Sequence, residues 1–140
     1  MDYISEKIKT GGLFSGSIKV AYLIRAVRES GDSEEKQIEM RREDTGAEVG
    51  RLEYDRQGDT ARLRTIQATD WSNPVFASRL LKKFISSMKK KRVRTIHAEV
   101  YQTDDAAQAR INILKANGFR IERGGNITGY NQYFFTLKLK

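Results

Sequence analysis

The stretch ARLRTIQATDWSNPVFASRLLKKFISSMKKKRVRTIHAEVYQTDDAAQARINILKANGFRIERGGNITGYNQYFFTLKL, Ala61 to Leu139, decides the fold, because its apolar period switches between about 2 and about 3.6 residues. Ala61 to Thr69 reads as a strand, with Leu63, Thr65 and Gln67 on one side and Ile66 and Ala68 on the other. Pro74 then marks a helix start. Its fixed φ and missing amide suit the first turn, and Ser72 or Asn73 before it is a good N-cap. Ala77, Leu80, Leu81, Phe84, Ile85 and Met88 form one apolar stripe at helical spacing, with Arg79, Lys82, Lys83 and Lys89 around the remainder. Lys90, Lys91 and Arg92 complement the dipole at the helix C-terminus.

Val93 to Tyr101 alternates again, placing Ile96, Ala98 and Val100 on one face and His97, Glu99 and Tyr101 on the other. A strand, a helix and a strand in this order predict two parallel neighbours joined by a right-handed crossover. Thr103, Asp104 and Asp105 suit the start of a second helix that turns Ala107, Ile111 and Leu114 inward and stops at Gly118, where Phe119 supplies the apolar contact of a C-terminal cap. Phe119 to Glu122 and Tyr130 to Leu139 are expected to pair around Gly124-Gly125-Asn126.

Outward toward the N-terminus, Ile18 to Arg28, Gln37 to Arg42 and Val49 to Tyr54 read as strands, punctuated by Gly31-Asp32-Ser33 and Gln57-Gly58-Asp59. Such short turns predict an antiparallel meander. Gly11, Gly12, Gly16, Ser15 and Ser17 predict a flexible lead-in over 1–17, which leaves 18–140 as a single domain.

Composition limits the chemistry. The chain has no cysteine and one histidine, so a thiolate zinc site, a cysteine nucleophile and a multi-histidine metal centre are all excluded, and no metal is expected. Met1 to Thr10 lacks the apolar core of a secretory signal and no apolar run approaches the length of a membrane span, so a cytoplasmic protein is expected. Twenty-six Lys and Arg stand against 18 acids, a net charge of +8 that attracts nucleic acid, acidic proteins or anionic cofactors. The densest basic run is Lys82, Lys83, Lys89, Lys90, Lys91, Arg92 and Arg94; arginines over the meander are interrupted by Glu43, Asp44, Glu48, Glu53 and Asp55.

The order of elements from Ile18 to Leu139 resembles the GNAT superfamily of acyl-CoA-dependent N-acyltransferases, most clearly over Leu63 to Phe119, in Ala77-Ser78-Arg79-Leu80-Leu81 and Lys115-Ala116-Asn117-Gly118-Phe119. The resemblance implies an α+β fold with a mixed sheet, acetyl-CoA as co-substrate between the parallel strands near Ala68, and its pyrophosphate on the segment Ser72 to Ala77, so that Ala68, Asn73, Val75, Phe76 and Ala77 would be cofactor-binding. Departures from the family pattern are specific. Of the usual Gln or Arg, two residues, Gly, one residue, Gly or Ala, only Ala77 matches; Val75 stands where glycine is expected and Pro74 lacks an amide. Leu114 occupies the place of a general-acid tyrosine, Ala107 that of an asparagine, and Glu29 to Lys36 is only a turn where the family carries helices.

Tyr130 or Tyr133 is therefore the expected proton donor to a thiolate, and Glu99 the expected base, while alternation alone also explains polar residues on the outer side of that strand. Two functions follow. One is acetyl transfer to a primary amine of a small molecule or protein. The other is a GNAT-fold module without turnover that binds nucleic acid or an acidic protein partner, which Ser72, Val75 and Leu114 favour.

Overall fold

The computed structural model describes residues 2–10, 16–71, 74–101, 106–127 and 130–139, with side chains at 19–71, 74–101, 106–122, 124 and 132–139. Its strands are β1 (Asp2–Thr10), β2 (Gly16–Ser30), β3 (Ser33–Arg42), β4 (Glu48–Gln57), β5 (Thr60–Ala68), β6 (Thr95–Tyr101), β7 (Arg120–Ile127) and β8 (Tyr130–Lys138); its helices are α1 (Val75–Lys90) and α2 (Ala106–Ala116). Among the described residues the strands form one sheet in the order β1-β2-β3-β4-β5-β6-β8-β7. Its pairs are antiparallel except β5 with β6, which run parallel as the crossover through α1 requires. The second crossover, through α2, advances in the same direction along the sheet, so both helices pack on one face. The other face carries no described helix, because β2 turns directly into β3 at Gly31-Asp32, with Gly31 at φ +57°.

The core lies between the helices and the sheet. The residues that α1 buries are Ala77, Leu80, Leu81, Phe84, Ile85 and Met88, the stripe expected from their spacing. Each large apolar side chain in it contributes roughly 1.5–3 kcal/mol by leaving water. Phe84 packs its ring 4.9 Å from that of Tyr54, and α2 adds Ala107, Ile111, Ile113 and Leu114 to the same core.

Several expectations need correction. Residues 2–10 are not a flexible lead-in but strand β1, in register with β2 from Asp2↔Ile24 to Thr10↔Gly16; the residues that do carry glycine and serine in 11–15 fall outside the described set. Strict alternation fails in β5. Leu52 pairs with Ile66 and Glu53 with Thr65, yet Tyr54 pairs with Leu63, so Arg64 is an extra residue and Leu63 and Ile66 share the inner face. Gly124, Gly125 and Asn126 are not the final turn but lie inside β7 opposite Tyr133, Gln132 and Asn131. A Cβ at Gly124 would come within 2.8 Å of the Tyr133 ring, so glycine is there to let the ring lie across the strand rather than to turn the chain.

Lys91 does more than complement the helix dipole. At the end of α1 its Nζ donates to Glu34 Oε1 at 2.5 Å, and Arg56 Nε and Tyr54 Oη donate to the same oxygen at 3.0 and 3.2 Å, while Lys36 Nζ lies 3.4 Å from Oε2. Glu34 is 5% exposed, so this cluster fastens the helix end to β3 and β4. Burial pushes its carboxyl up, but hydrogen bonds from Lys91 and Arg56 and the charges of Lys91 and Lys36 outweigh it and bring the group from its ordinary 4.5 to about 2. Glu34→Ala is expected to cost about 3–5 kcal/mol in urea denaturation, because it leaves cations without their buried partner. A depressed carboxylate stabilises the fold above its unfolded pKa, so the difference between wild type and variant should be complete above pH 4.5 and vanish as pH falls through about 2.

Candidate functional site

The parallel pair β5–β6 is short. Its register runs Thr60↔Thr95, Ala61↔Ile96, Arg62↔His97 and Leu63↔Ala98, and there it stops, although both strands continue. The stop coincides with the extra residue Arg64, since a bulge bends its strand and increases the local twist. Beyond it the strands part, leaving a cleft of about 210 Å³ lined by Thr65, Ile66 and Gln67 on one side and Glu99, Val100 and Tyr101 on the other.

The backbone of β5 faces this gap. Thr69 N–H donates to the Val49 carbonyl at 3.3 Å, so Val49 and Thr69 are a hydrogen-bonded pair. By the alternation of an antiparallel ladder, Ala68 and Ile66, opposite Gly50 and Leu52, turn their N–H and C=O away from β4 and into the gap. An extended amide-bearing chain laid there would find strand-like partners on one edge.

The gap passes through the sheet. Arg110 and Leu114 of α2 line it on the helical side, and Arg64, Glu99 and Tyr101 on the open side. Glu99 is exposed on β6 and accepts from Tyr101 Oη and from Gln132 Nε2, each at 3.3 Å. Desolvation and the Glu99 carboxylate raise the Tyr101 phenol above its ordinary range, so at neutral pH it keeps the proton it donates. Glu99 also borders a broad groove of about 930 Å³ on the open face, together with Asp55, Arg62, His97, Glu122 and Phe134.

Ala68 is the last residue of β5, and α1 begins at Val75. Pro74 is the N-cap, and among the described residues no side chain caps the helix and no acid sits in its first turn. The amides of Val75, Phe76 and Ala77 precede the first intrahelical bond, from Ser78 N to Pro74 O at 2.9 Å, and the positive end of the helix dipole is there. Asn73 lies outside the described residues. Beside this end a groove of about 480 Å³ runs between the helices, with Trp71, Val75 and Ile113 as apolar wall and Arg79 and Lys82 as cations.

Of the residues expected at a site, the structure brings Glu99 to the gap; Ala68 ends β5, Val75 lines the groove between the helices, and Phe76 and Ala77 lie in the first turn of α1. It does not bring Tyr133 to the gap. Tyr133 pairs with Val100 on the far side of β6 and faces away from Glu99. Tyr130 begins β8, and its side chain lies outside the described set. Leu114, at the position of the family tyrosine, is 1% exposed and lines the gap as hydrocarbon. Two residues escape a reading of the sequence. Arg64 looks like any outward strand residue, and nothing in its identity signals a bulge. Arg110 left a signal, a cation one turn before Leu114 on the inward side of α2.

No family model matches the sequence, and no curated protein matches it. Solved structures do. An acetyltransferase from Bacillus cereus superposes with a TM-score of 0.64 at 18% identity, covering 76% of this chain and 74% of its own. The ribosomal-protein-S18-alanine N-acetyltransferase from Escherichia coli gives 0.59 at 19%, over 79% and 71%. A Desulfovibrio desulfuricans structure described as a GNAT-family acetyltransferase gives 0.62 at 17%, over 74% and 69%. The fold is the GNAT fold. Within it, the parted parallel strands are β5 and β6, and the helix after the first of them is α1.

The bulge makes a direct prediction. Deleting Arg64 restores plain alternation while keeping Leu63 and Ile66 inward, so the protein should stay folded and the β5–β6 ladder should extend. Hydrogen exchange should then show new protection in β6 beyond Ala98. Unchanged protection in a folded variant would mean that the bulge does not part the strands.

Proposed function

We propose that the chain is an acyl-CoA-dependent N-acyltransferase that moves an acetyl group from acetyl-CoA to a primary amine. The observation that carries this reading is the gap itself. It offers the inward N–H and C=O groups of Ile66 and Ala68 and opens beside the Glu99 carboxylate, and the start of α1 borders the neighbouring groove. Likeness of fold to acetyltransferases, among them a Salmonella typhimurium structure determined with its cofactor acetyl-CoA (TM-score 0.59, 15% identity), supports the same reading.

The residues fit such a ligand, with one displacement. The strand edge at Ile66 and Ala68 would hold the amides of the acyl arm. Pro74 and Val75 make the helix start a poorer phosphate cradle than a glycine loop, because one amide is missing and a side chain is added. Arg79 and Lys82 in the adjoining groove would supply charge that the loop does not. The bound thioester supplies an activated acyl group. The chain's own part is to position the amine against its carbonyl, so that the C–N bond forms as the C–S bond breaks and coenzyme A leaves as the thiolate, and to accept the amine's proton at Glu99, with Tyr101 orienting the carboxylate. An amine acceptor also suits the open groove, where Glu99 and Glu122 lie in a protein otherwise rich in cations.

The reading without turnover, a nucleic-acid or acidic-protein module, draws support from Arg110, whose side chain spans the gap. The open face counts against a nucleic-acid stripe. Its acids Glu35, Glu39 and Asp55 are each paired with arginine, Glu39 with Arg25, Arg41 and Arg51 together.

Acetyl-CoA titration separates the two. Binding heat and a rise in melting temperature are expected, with stabilisation of about 2.7 kcal/mol at a hundredfold excess over Kd; absence of both at saturating ligand contradicts transfer. Glu99→Gln is expected to lower kcat by about 10²-fold or more with acetyl-CoA affinity unchanged, and an unaltered kcat would remove Glu99 as the base.

A further inference from the structure

Arg110 stands where the two cavities meet. From α2 its Nε donates to the Ile66 carbonyl at 3.2 Å, and its guanidinium carbon lies 5.4 Å from the centre of the Trp71 ring. Arg110 lines the gap between the strands, and Trp71 lines the groove between the helices. The stacked pair is thus the partition between them.

The bond it makes is informative. The Ile66 carbonyl is one of the inward-facing groups left without a ladder partner when β5 leaves β6, and such a group needs a donor. In the free protein Arg110 is that donor. An acyl carrier lying along β5 needs the same carbonyl for its own amide, and a carrier reaching from the helix groove into the gap must pass the Trp71–Arg110 pair.

We propose that Arg110 is a latch on the acyl-carrier site: its guanidinium holds the Ile66 carbonyl and the Trp71 ring in the free protein, and the carrier binds by exchanging its own amide for that bond. This rests on the acyltransferase reading. Competition of this kind lowers apparent affinity by the fraction of molecules in which the site is closed. Removing the side chain removes the competitor.

Trp71 is the single tryptophan of the chain, so its emission reports on the pair without any label. Wild type and Arg110→Ala are titrated with acetyl-CoA, by calorimetry and by tryptophan fluorescence, after circular dichroism has shown both to be folded. Arg110→Ala is expected to bind at least about five-fold tighter, a change typical of coupling of this size. Wild-type emission should shift with the same midpoint as the heat. Equal or weaker binding by Arg110→Ala, or wild-type heat with no change in emission, overturns the latch and leaves the acyltransferase reading in place. Neither heat nor emission change in either protein overturns both. Should Arg110→Ala fail to fold, the wild-type comparison of heat with emission decides alone.

Discussion

The parting of β5 from β6 after Leu63 and Ala98 is the constraint on which the rest of the structure depends. Parallel strands held together along their length would leave no backbone group for a ligand and no passage through the sheet. One extra residue, Arg64, ends the pairing. It also restores phase, so that Ile66 still faces the core although it is an odd number of residues from Leu63. The gap therefore costs the core nothing in apolar surface. What it costs is hydrogen bonding, and the Arg110 contact to the Ile66 carbonyl meets part of that demand from the facing helix.

The two ends of the gap differ in chemistry because the two faces of the sheet differ in cover. On the helical face, α1 is held down along its buried stripe and fastened at its C-terminal end by the Glu34 cluster. On the open face the direct β2–β3 turn leaves strand side chains to solvent. There arginines and acids neutralise each other over the meander, while Glu99 and Glu122 border the groove at β6 and β7. The open groove, bordered by Glu99 and Glu122, and the positive end of the α1 dipole thus lie on opposite faces of one layer of sheet.

Much of the fold was legible because hydrophobic period changes with secondary structure. The α1 stripe, the inward face of β6 and the parallel crossover all follow from spacing. The misreadings share a cause. Glycine reads as punctuation in 11–17 and at Gly124-Gly125, whereas β1 pairs up to Thr10 and Gly124 serves a ring on the neighbouring strand. The sequence neighbours of Lys91 point to the helix dipole, whereas its partner Glu34 is 57 residues away. The site was legible only in part. Glu99 and the start of α1 could be placed from alternation and from Pro74, but a bulge and a side chain crossing between elements are properties of packing that period does not encode.

The central claim is that the inward edge of β5 is the surface on which an acyl carrier lies. Backbone amide NMR tests it most directly, because it sees the strand edge itself. With acetyl-CoA added in steps, the amide resonances of Ile66, Ala68 and the facing residues of β6 should move along saturable curves with a common midpoint, while those of the β2–β3 hairpin stay in place. Shifts confined to the outer basic surface, or none beyond those produced by an unrelated anion of equal charge, would contradict it.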